Sequence, residues 1–363
     1  MQSIKRIVFS DCEGPISKND NAYELSAHFI PDGDRLFANI SKYDDVIAEV
    51  LHKPGHAAGS TLKLILPFFR AYDVTDKQME DFSTQNILLL PETPYTISNI
   101  QEYAEVFIVS TSYEHYIKVL CKAIDFPEDH TYCTKVTLDK YEITPEEREC
   151  LKAIGQEIAK MHLIAIPSGA RTVADFSAAD QAVIKRLDEI FWNIIPKMTV
   201  GKLLSDVKTI GGEQKAEAIR DATSRLGAKI SEVMYVGDSI TDVEAFKIVR
   251  KFGGLAVSFN GNSYAIRNAD VAVMSEGNLV TAVLADRFCH LGKEQALKAL
   301  SYWCKSAVEQ SGVGINLLRK LYAAYPGALP RVELITARNV DALIKESSDF
   351  RKNVRGVAIG RLG

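Results

Sequence analysis

The sequence predicts an α/β fold: a parallel β-sheet with helical insertions and a helical C-terminal extension. Short β-branched runs, apolar throughout rather than alternating, end abruptly in polar residues or glycine, as strands buried on both faces do. Helical patterns follow most of these runs, and βα alternation implies a parallel sheet. Two long, mostly helical stretches interrupt the alternation, so the chain carries more than a bare sheet domain. With 363 residues it is long enough for about two to three domains.

The first run is Arg6-Ile7-Val8-Phe9-Ser10. Residues 18–100 then read helical, with breaks at Phe29-Ile30-Pro31 and Lys53-Pro54-Gly55 and an apolar stripe at Leu62, Ile65, Leu66 and Phe69, which predicts a helical cap. Val106-Phe107-Ile108-Val109 is the second run, followed by a helix over Tyr113–Ile124. Residues 144–200 hold helical patterns over Pro145–Met161 and Ser177–Ile195, joined by Pro167-Ser168-Gly169, and form a second, mainly helical insert. An amphipathic helix over Lys215–Leu226 precedes the run Val233–Val236, a helix over Asp242–Phe252 follows it, and Leu255–Val257 and Val271–Met274 complete the strands. From residue 278 the chain reads largely helical, broken at Tyr325-Pro326-Gly327 and Pro330. The expected division is a core of residues 1–17, 101–143 and 201–285, a first cap of 18–100, a second insert of 144–200 and a C-terminal extension of 286–363.

Composition narrows the function classes. The chain is 47% hydrophobic and 25% charged, typical of a folded globular protein. Its 43 basic and 47 acidic side chains give a net charge of −4, without the basic excess that binding a phosphate backbone requires, so no nucleic-acid partner is expected. The six cysteines form no C-x-x-C pair and no short-spaced Cys/His cluster, which points to reduced thiols rather than a disulfide framework or zinc site. Ile7-Val8-Phe9 is too short for a signal-peptide core, and Leu62–Phe69, broken by Lys63 and Pro67, falls short of a membrane span. These features predict a cytoplasmic protein with no membrane span.

Ligands in open parallel sheets gather at the carboxyl ends of the strands, and the chemistry-bearing residues fall there. The first strand ends in Ser10-Asp11-Cys12-Glu13-Gly14-Pro15, where Asp11 can act as a nucleophile beside Glu13 as acid/base, or can simply end a strand in a turn. Val236-Gly237-Asp238-Ser239-Ile240-Thr241-Asp242 sets two carboxylates to face a hard cation such as Mg²⁺, or caps a helix with Ser239 or Thr241. Ser110-Thr111-Ser112 offers hydroxyls ahead of a helix N-terminus, a setting that suits phosphate. Lys215 opens a helix, where a cation opposes the helix dipole unless an anion lies nearby.

The order Asp-x-Glu-Gly, Ser/Thr, Lys, Gly-Asp-x-x-x-Asp on successive strand ends resembles the haloacid dehalogenase (HAD) superfamily, especially its phosphoserine phosphatase-like branch. The resemblance covers residues 5–17, 90–142 and 205–285. It implies a Rossmann-like core with caps, and a phosphatase cleaving a small phosphorylated metabolite through an aspartyl-phosphate on Asp11. By the same resemblance Glu13 would be the acid/base, and Ser110 and Lys215 would hold the phosphoryl group, with Thr111 beside them. Asp11, the Glu13 carbonyl and Asp238 would ligate Mg²⁺, with Asp242 supporting that site directly or through water. Two positions depart from the usual pattern: Glu13 stands where an Asp is usual, and Pro15 replaces a Thr or Val. If the longer Glu13 slows water attack, transfer of the phosphoryl group to a hydroxyl acceptor becomes the alternative.

The runs Ser17–Leu25, Phe29–Asp34 and Ser110–Tyr116 are similar to archaeal members of the superfamily known as subunit R of energy-converting hydrogenase A. That similarity implies a further alternative, a non-catalytic subunit contacting a hydrogenase, or a twin, through the C-terminal helices. Among cap residues, Lys18, Asn19, Asn21, Glu24 and Arg70 are candidates to read the substrate's polar end, Glu24 foremost. His115, one turn beyond Ser110, could reach the phosphate region or cap a loop. His52 and His56 flank Pro54-Gly55, which breaks the helix that would bring both to one metal. Phe68, Phe69 and Tyr72 read as cap core.

Overall fold

The structure, a computed structural model, describes residues 6–53 and 56–360. The expected break at Pro54-Gly55, residues 1–5 of the expected core and residues 361–363 of the expected C-terminal extension lie outside them.

Seven strands form one sheet: β1 (Arg6–Ser10), β2 (Ala104–Tyr113), β3 (Thr131–Thr134), β4 (Val233–Gly237), β5 (Leu255–Phe259), β6 (Val271–Met274) and β7 (Arg331–Leu334). Their order is β3-β2-β1-β4-β5-β6-β7, with β7 antiparallel to β6 and every other pairing parallel. The apolar strand runs have the composition they do because both faces are covered. Val8, Val106, Ile108, Val236 and Val257 point into one core, with the helices Glu114–Ile124 and Leu279–Leu291. Ile7, Phe9, Phe107, Val109 and Tyr235 point into the other, with the helices Glu213–Leu226 and Val243–Lys251. Successive side chains alternate between these two layers.

Strands β3 and β7 are absent from the sequence reading. Thr131–Thr134 is short, buries only Cys133 and Thr134 and holds no β-branched aliphatic run, and Arg331–Leu334 lies on the open edge, where only Val332 is buried. The C-terminal extension is therefore not purely helical: it completes the sheet before its last long helix, Val340–Arg355. The helix Leu279–Leu291 runs through residue 285 with almost every side chain buried in the main core.

The two inserts share one hydrophobic core. Leu36, Ile40, Phe68 and Phe69 of the first pack with Leu151, Ile158, Leu187 and Phe191 of the second. Gly155 permits the close approach, since a Cβ there would lie 3.3 Å from Phe68 Cδ1, and Asn39 Nδ2 donates to the Ile158 carbonyl at 2.9 Å. Capping sets where these helices start. Asp20 accepts from the Tyr23 amide at the head of Asn21–Phe29, and Thr144 forms a capping box with Glu147 at the head of Pro145–Lys160. Among the described residues no helix is long and apolar enough to cross a membrane.

Candidate active site

The sheet register assembles the site. Ser10 pairs with Ile108 on one side and Val236 on the other, so Asp11 and Asp238 leave β1 and β4 at the same edge; Ser110, expected at a strand end, lies beside them within β2, which runs on to Tyr113 before the helix begins at Glu114. The Asp11 amide still donates to the Val236 carbonyl at 2.8 Å, which fixes the chain as it leaves the sheet. Gly14, at φ +104°, then turns it beneath Asp238. A Cβ on Gly14 would lie 2.2 Å from Asp238 Oδ2, so glycine is required there both by the backbone and by the neighbouring carboxylate.

Lys215 is completely buried and donates to Asp11 Oδ2 at 2.6 Å and to Asp242 Oδ1 at 2.7 Å. This explains a cation in the first turn of a helix: two anions outweigh the dipole. Burial works against its charge, but the carboxylates of Asp11 and Asp242 hold its pKa above the usual lysine range. Asp242 is fully subscribed. Its Oδ1 also accepts from Tyr235 Oη at 2.7 Å, and its Oδ2 accepts from the amides of Asp238 and Ser239, both at 2.9 Å. Burial pushes the Asp242 carboxyl up, but Lys215 and these donors bring it net below its ordinary pKa. Asp11 is pushed up to about 7 by burial, which Lys215 opposes and the charges of Asp242 and Asp238 reinforce.

A cavity of about 100 Å³ lies above this network, walled by Asp11, Glu13, Ser110, Thr111 and Asp238 from the core and by Asp20, Asp44, Asp45 and Thr61 from the cap. Glu13 Oε1 accepts from the Asn21 amide at 2.7 Å, tying the strand end to the first cap helix, and burial raises its pKa well above the ordinary range. The cap loop closes on the core at its glycines: a Cβ on Gly211 would lie 2.2 Å from the Ala58 carbonyl oxygen.

The structure brings Asp11, Glu13, Ser110, Thr111, Lys215, Asp238 and Asp242 to one place, with Lys215 and Asp242 below the cavity floor rather than in its wall. Glu24 is not among the wall residues; its carboxylate accepts from Asn19 Nδ2 at 2.8 Å. Arg70 is turned to the Tyr141 carbonyl, and His115 pairs with Asp76 at 2.8 Å, neither in the cavity wall. His56 packs its ring edge-on against Trp192, while His52 bonds the Ala48 carbonyl.

Sequence reasoning missed the cap carboxylates Asp20, Asp44 and Asp45 with Thr61, and two arginines, altogether. Arg351 and Arg355, on the last long helix, both reach Asp238 Oδ2, Arg355 at 3.1 Å. They are delivered by β7: because it runs against the other strands, the helix after it returns toward their carboxyl ends, and its 16 residues span about 24 Å. The sequence did hold a signal, since Leu343, Ser347 and Arg351 recur at every fourth position and all are buried.

The donor set suits a hard divalent cation. Carboxylate oxygens of Asp11, Asp238 and Asp242 lie within 4.8 Å of one another, and the group contains no nitrogen or sulfur donor. With Asp242 committed to four donors, Asp11 and Asp238 are the direct ligand candidates.

No curated protein matches the chain. Among solved structures, a gene product of Archaeoglobus fulgidus is similar at 27% identity and TM-score 0.80, over 99% of both chains. A phospho-aspartyl intermediate analogue of phosphoserine phosphatase aligns with 74% of this chain and 93% of its own, at 14% identity and TM-score 0.44. The profile of haloacid dehalogenase-like hydrolases matches residues 49–249, a stretch that includes Ser110, Lys215, Asp238 and Asp242 and leaves Asp11 before it and Arg351 after it. With more than half its length so matched, the chain belongs to the haloacid dehalogenase-like hydrolase family.

Proposed function

We propose that this hydrolase cleaves a small phosphomonoester, with Asp11 as nucleophile. The observation that carries the reading is the Asp11 carboxylate at the wall of a small capped cavity, with buried Lys215 on one of its oxygens and Glu13 two residues along. A carboxylate attacking an anionic phosphoryl group needs fixed positive charge close by, and Lys215 is held charged there by two carboxylates.

In the first step an Asp11 oxygen attacks phosphorus, the bond to the ester oxygen breaks, and Glu13 gives its proton to the departing alkoxide. The raised pKa of Glu13 suits an acid that is protonated when substrate binds. In the second step Glu13 takes a proton from water as it attacks phosphorus, the bond to Asp11 breaks, and inorganic phosphate leaves. Ser110, buried in the cavity wall, is placed to donate to a phosphoryl oxygen. Mg²⁺ held by Asp11 and Asp238 would supply further positive charge beside the transferring oxygens. The cavity's size favours a small ester over a macromolecular substrate.

Phosphate release from a panel of phosphomonoesters, with Mg²⁺ and with EDTA, on wild type and Asp11→Asn tests the reading. Turnover that requires both the metal and Asp11 supports it. Metal-dependent turnover by Asp11→Asn at the wild-type rate, or no release from any ester, overturns it.

A further inference from the structure

Arg351 belongs to no motif of the family's core, yet it stands in the cavity wall with Asp11, Glu13 and Ser110. Its side chain is 4% exposed. One nitrogen, Nη1, donates to Asp238, at its carboxylate and at its carbonyl oxygen (3.3 Å). The Nε is buried and has no partner among the described residues. Leaving a buried charged donor unpaired is costly, and Arg351 is the cationic side chain for which this holds among the described residues.

Arg355, one helical turn on, differs in being fully committed. It donates to the carbonyls of Lys18 and Asn19, the former at 3.1 Å, and to Asp238 Oδ2 at 3.1 Å. It therefore staples the C-terminal helix to the loop between Glu13 and the first cap helix, and holds Arg351 over the cavity. Arg351 and Arg355 are the cations of that wall, since Lys215 lies beneath it.

We propose that Arg351 is a substrate-binding residue whose guanidinium, engaged by the protein through Nη1 alone, takes an anionic oxygen of the phosphorylated substrate, and that Arg355 is the positioning residue that aims it. The inference rests on the phosphomonoester reading above and adds to it that the C-terminal segment completes the substrate site. The anionic oxygen has two possible sources, the phosphoryl group itself or a second anionic group on the part of the ester that leaves.

The test uses the full-length chain with Mg²⁺. Calorimetry measures binding of inorganic phosphate, and steady-state kinetics compare p-nitrophenyl phosphate with a carboxylate-bearing phosphomonoester, for wild type, Arg351→Gln, Arg351→Lys and Arg355→Gln. Loss of one charged hydrogen bond weakens phosphate binding on the order of tenfold or more in Arg351→Gln if the contact is to the phosphoryl group. If the contact is to a second anion, phosphate binding holds, while KM for the carboxylate-bearing ester rises about tenfold and that for p-nitrophenyl phosphate does not. Either result supports the assignment. Arg351→Lys, which keeps charge and bulk, is expected to recover part of the loss and guards against a Gln variant that fails to fold. Arg355→Gln is expected to reproduce the Arg351→Gln defect in weaker form. Phosphate affinity and both KM values unchanged in a folded Arg351→Gln overturn the assignment while leaving Asp11-dependent hydrolysis standing. A wild type that neither binds phosphate nor hydrolyses an ester overturns both readings together.

Discussion

Lys215 Nζ lies 2.6 Å from Asp11 Oδ2, although 204 positions separate the two residues, and it reaches Asp242 with the same ammonium group. One cation thus bridges a nucleophile candidate and the carboxylate that anchors the loop after β4. Removing it would leave two buried carboxylates facing each other. Lys215→Met is therefore expected to destabilise the fold by about 3–5 kcal/mol, the range for breaking a buried ion pair, and to abolish turnover. Urea unfolding at neutral pH, followed by tryptophan fluorescence, checks the first part; a midpoint equal to wild type would contradict it.

Asp11→Asn affects chemistry and stability unequally. The amide oxygen can still accept from Lys215, but the Cys12 amide, which donates to Asp11 Oδ1 at 2.6 Å, would then face an NH2, so stability should fall by about 1–3 kcal/mol, whereas hydrolysis should fall by at least about a thousandfold with the nucleophile gone. Calorimetric melting and phosphate release on the same preparation provide both numbers.

Glu13→Gln should expose the two half-reactions. With p-nitrophenyl phosphate the leaving group needs little protonation, so Asp11 can still be phosphorylated, but the water step loses its base. The expected result is a burst of about one equivalent of p-nitrophenol per active site, then slow turnover. Stopped-flow absorbance without a burst, at an unchanged steady rate, would remove Glu13 from the acid/base role.

Asp44 in the cap supplies a pH signature. Its carboxyl is pushed from 3.8 up to about 7 by burial, with bonds from Thr61 and Gly59 opposing and Asp45 adding. The folded state therefore keeps a proton that the unfolded chain gives up. The stability this contributes is complete below about pH 4 and is lost as pH rises to about 7, at no more than about 1.4 kcal/mol per pH unit. Other buried carboxylates slope the same way, so the difference between wild type and Asp44→Asn isolates this one. Denaturation midpoints from pH 4.5 to 7.5 should fall less steeply in the variant; parallel curves would rule Asp44 out.

Gly14→Ala probes the turn beneath Asp238. The new Cβ would meet Asp238 Oδ2 at 2.2 Å, on a backbone with φ +104°. The strain should cost on the order of 1–3 kcal/mol, and displacement of Asp238 should weaken divalent-cation binding measured by calorimetry.

Much of this organisation is legible locally. Strand runs such as Val233–Val236 announce themselves because a strand covered on both faces must be apolar throughout, and Asp11, Ser110 and Asp238 declare themselves by following such runs directly. Lys215 was visible for a related reason, as a cation where a helix disfavours one. The edge strands β3 and β7 were not legible, because an edge strand buries little and so writes little into four residues.

What the sequence by itself determined is the alternation of buried strands and helices, the carboxylates at the strand ends and the cap between β1 and β2. Tertiary structure alone decided the joining of the two inserts through Leu36, Phe68 and Leu151 into one core, and the commitment of Asp242 to four donors. It also decided the arrival of Arg351 and Arg355 at Asp238. The reason is physical: local periodicity reports which face of an element is buried, whereas the partner of that face depends on where the chain turns. Here the antiparallel run of β7 turns the final helix back over the cavity, and two arginines of that helix become part of its wall.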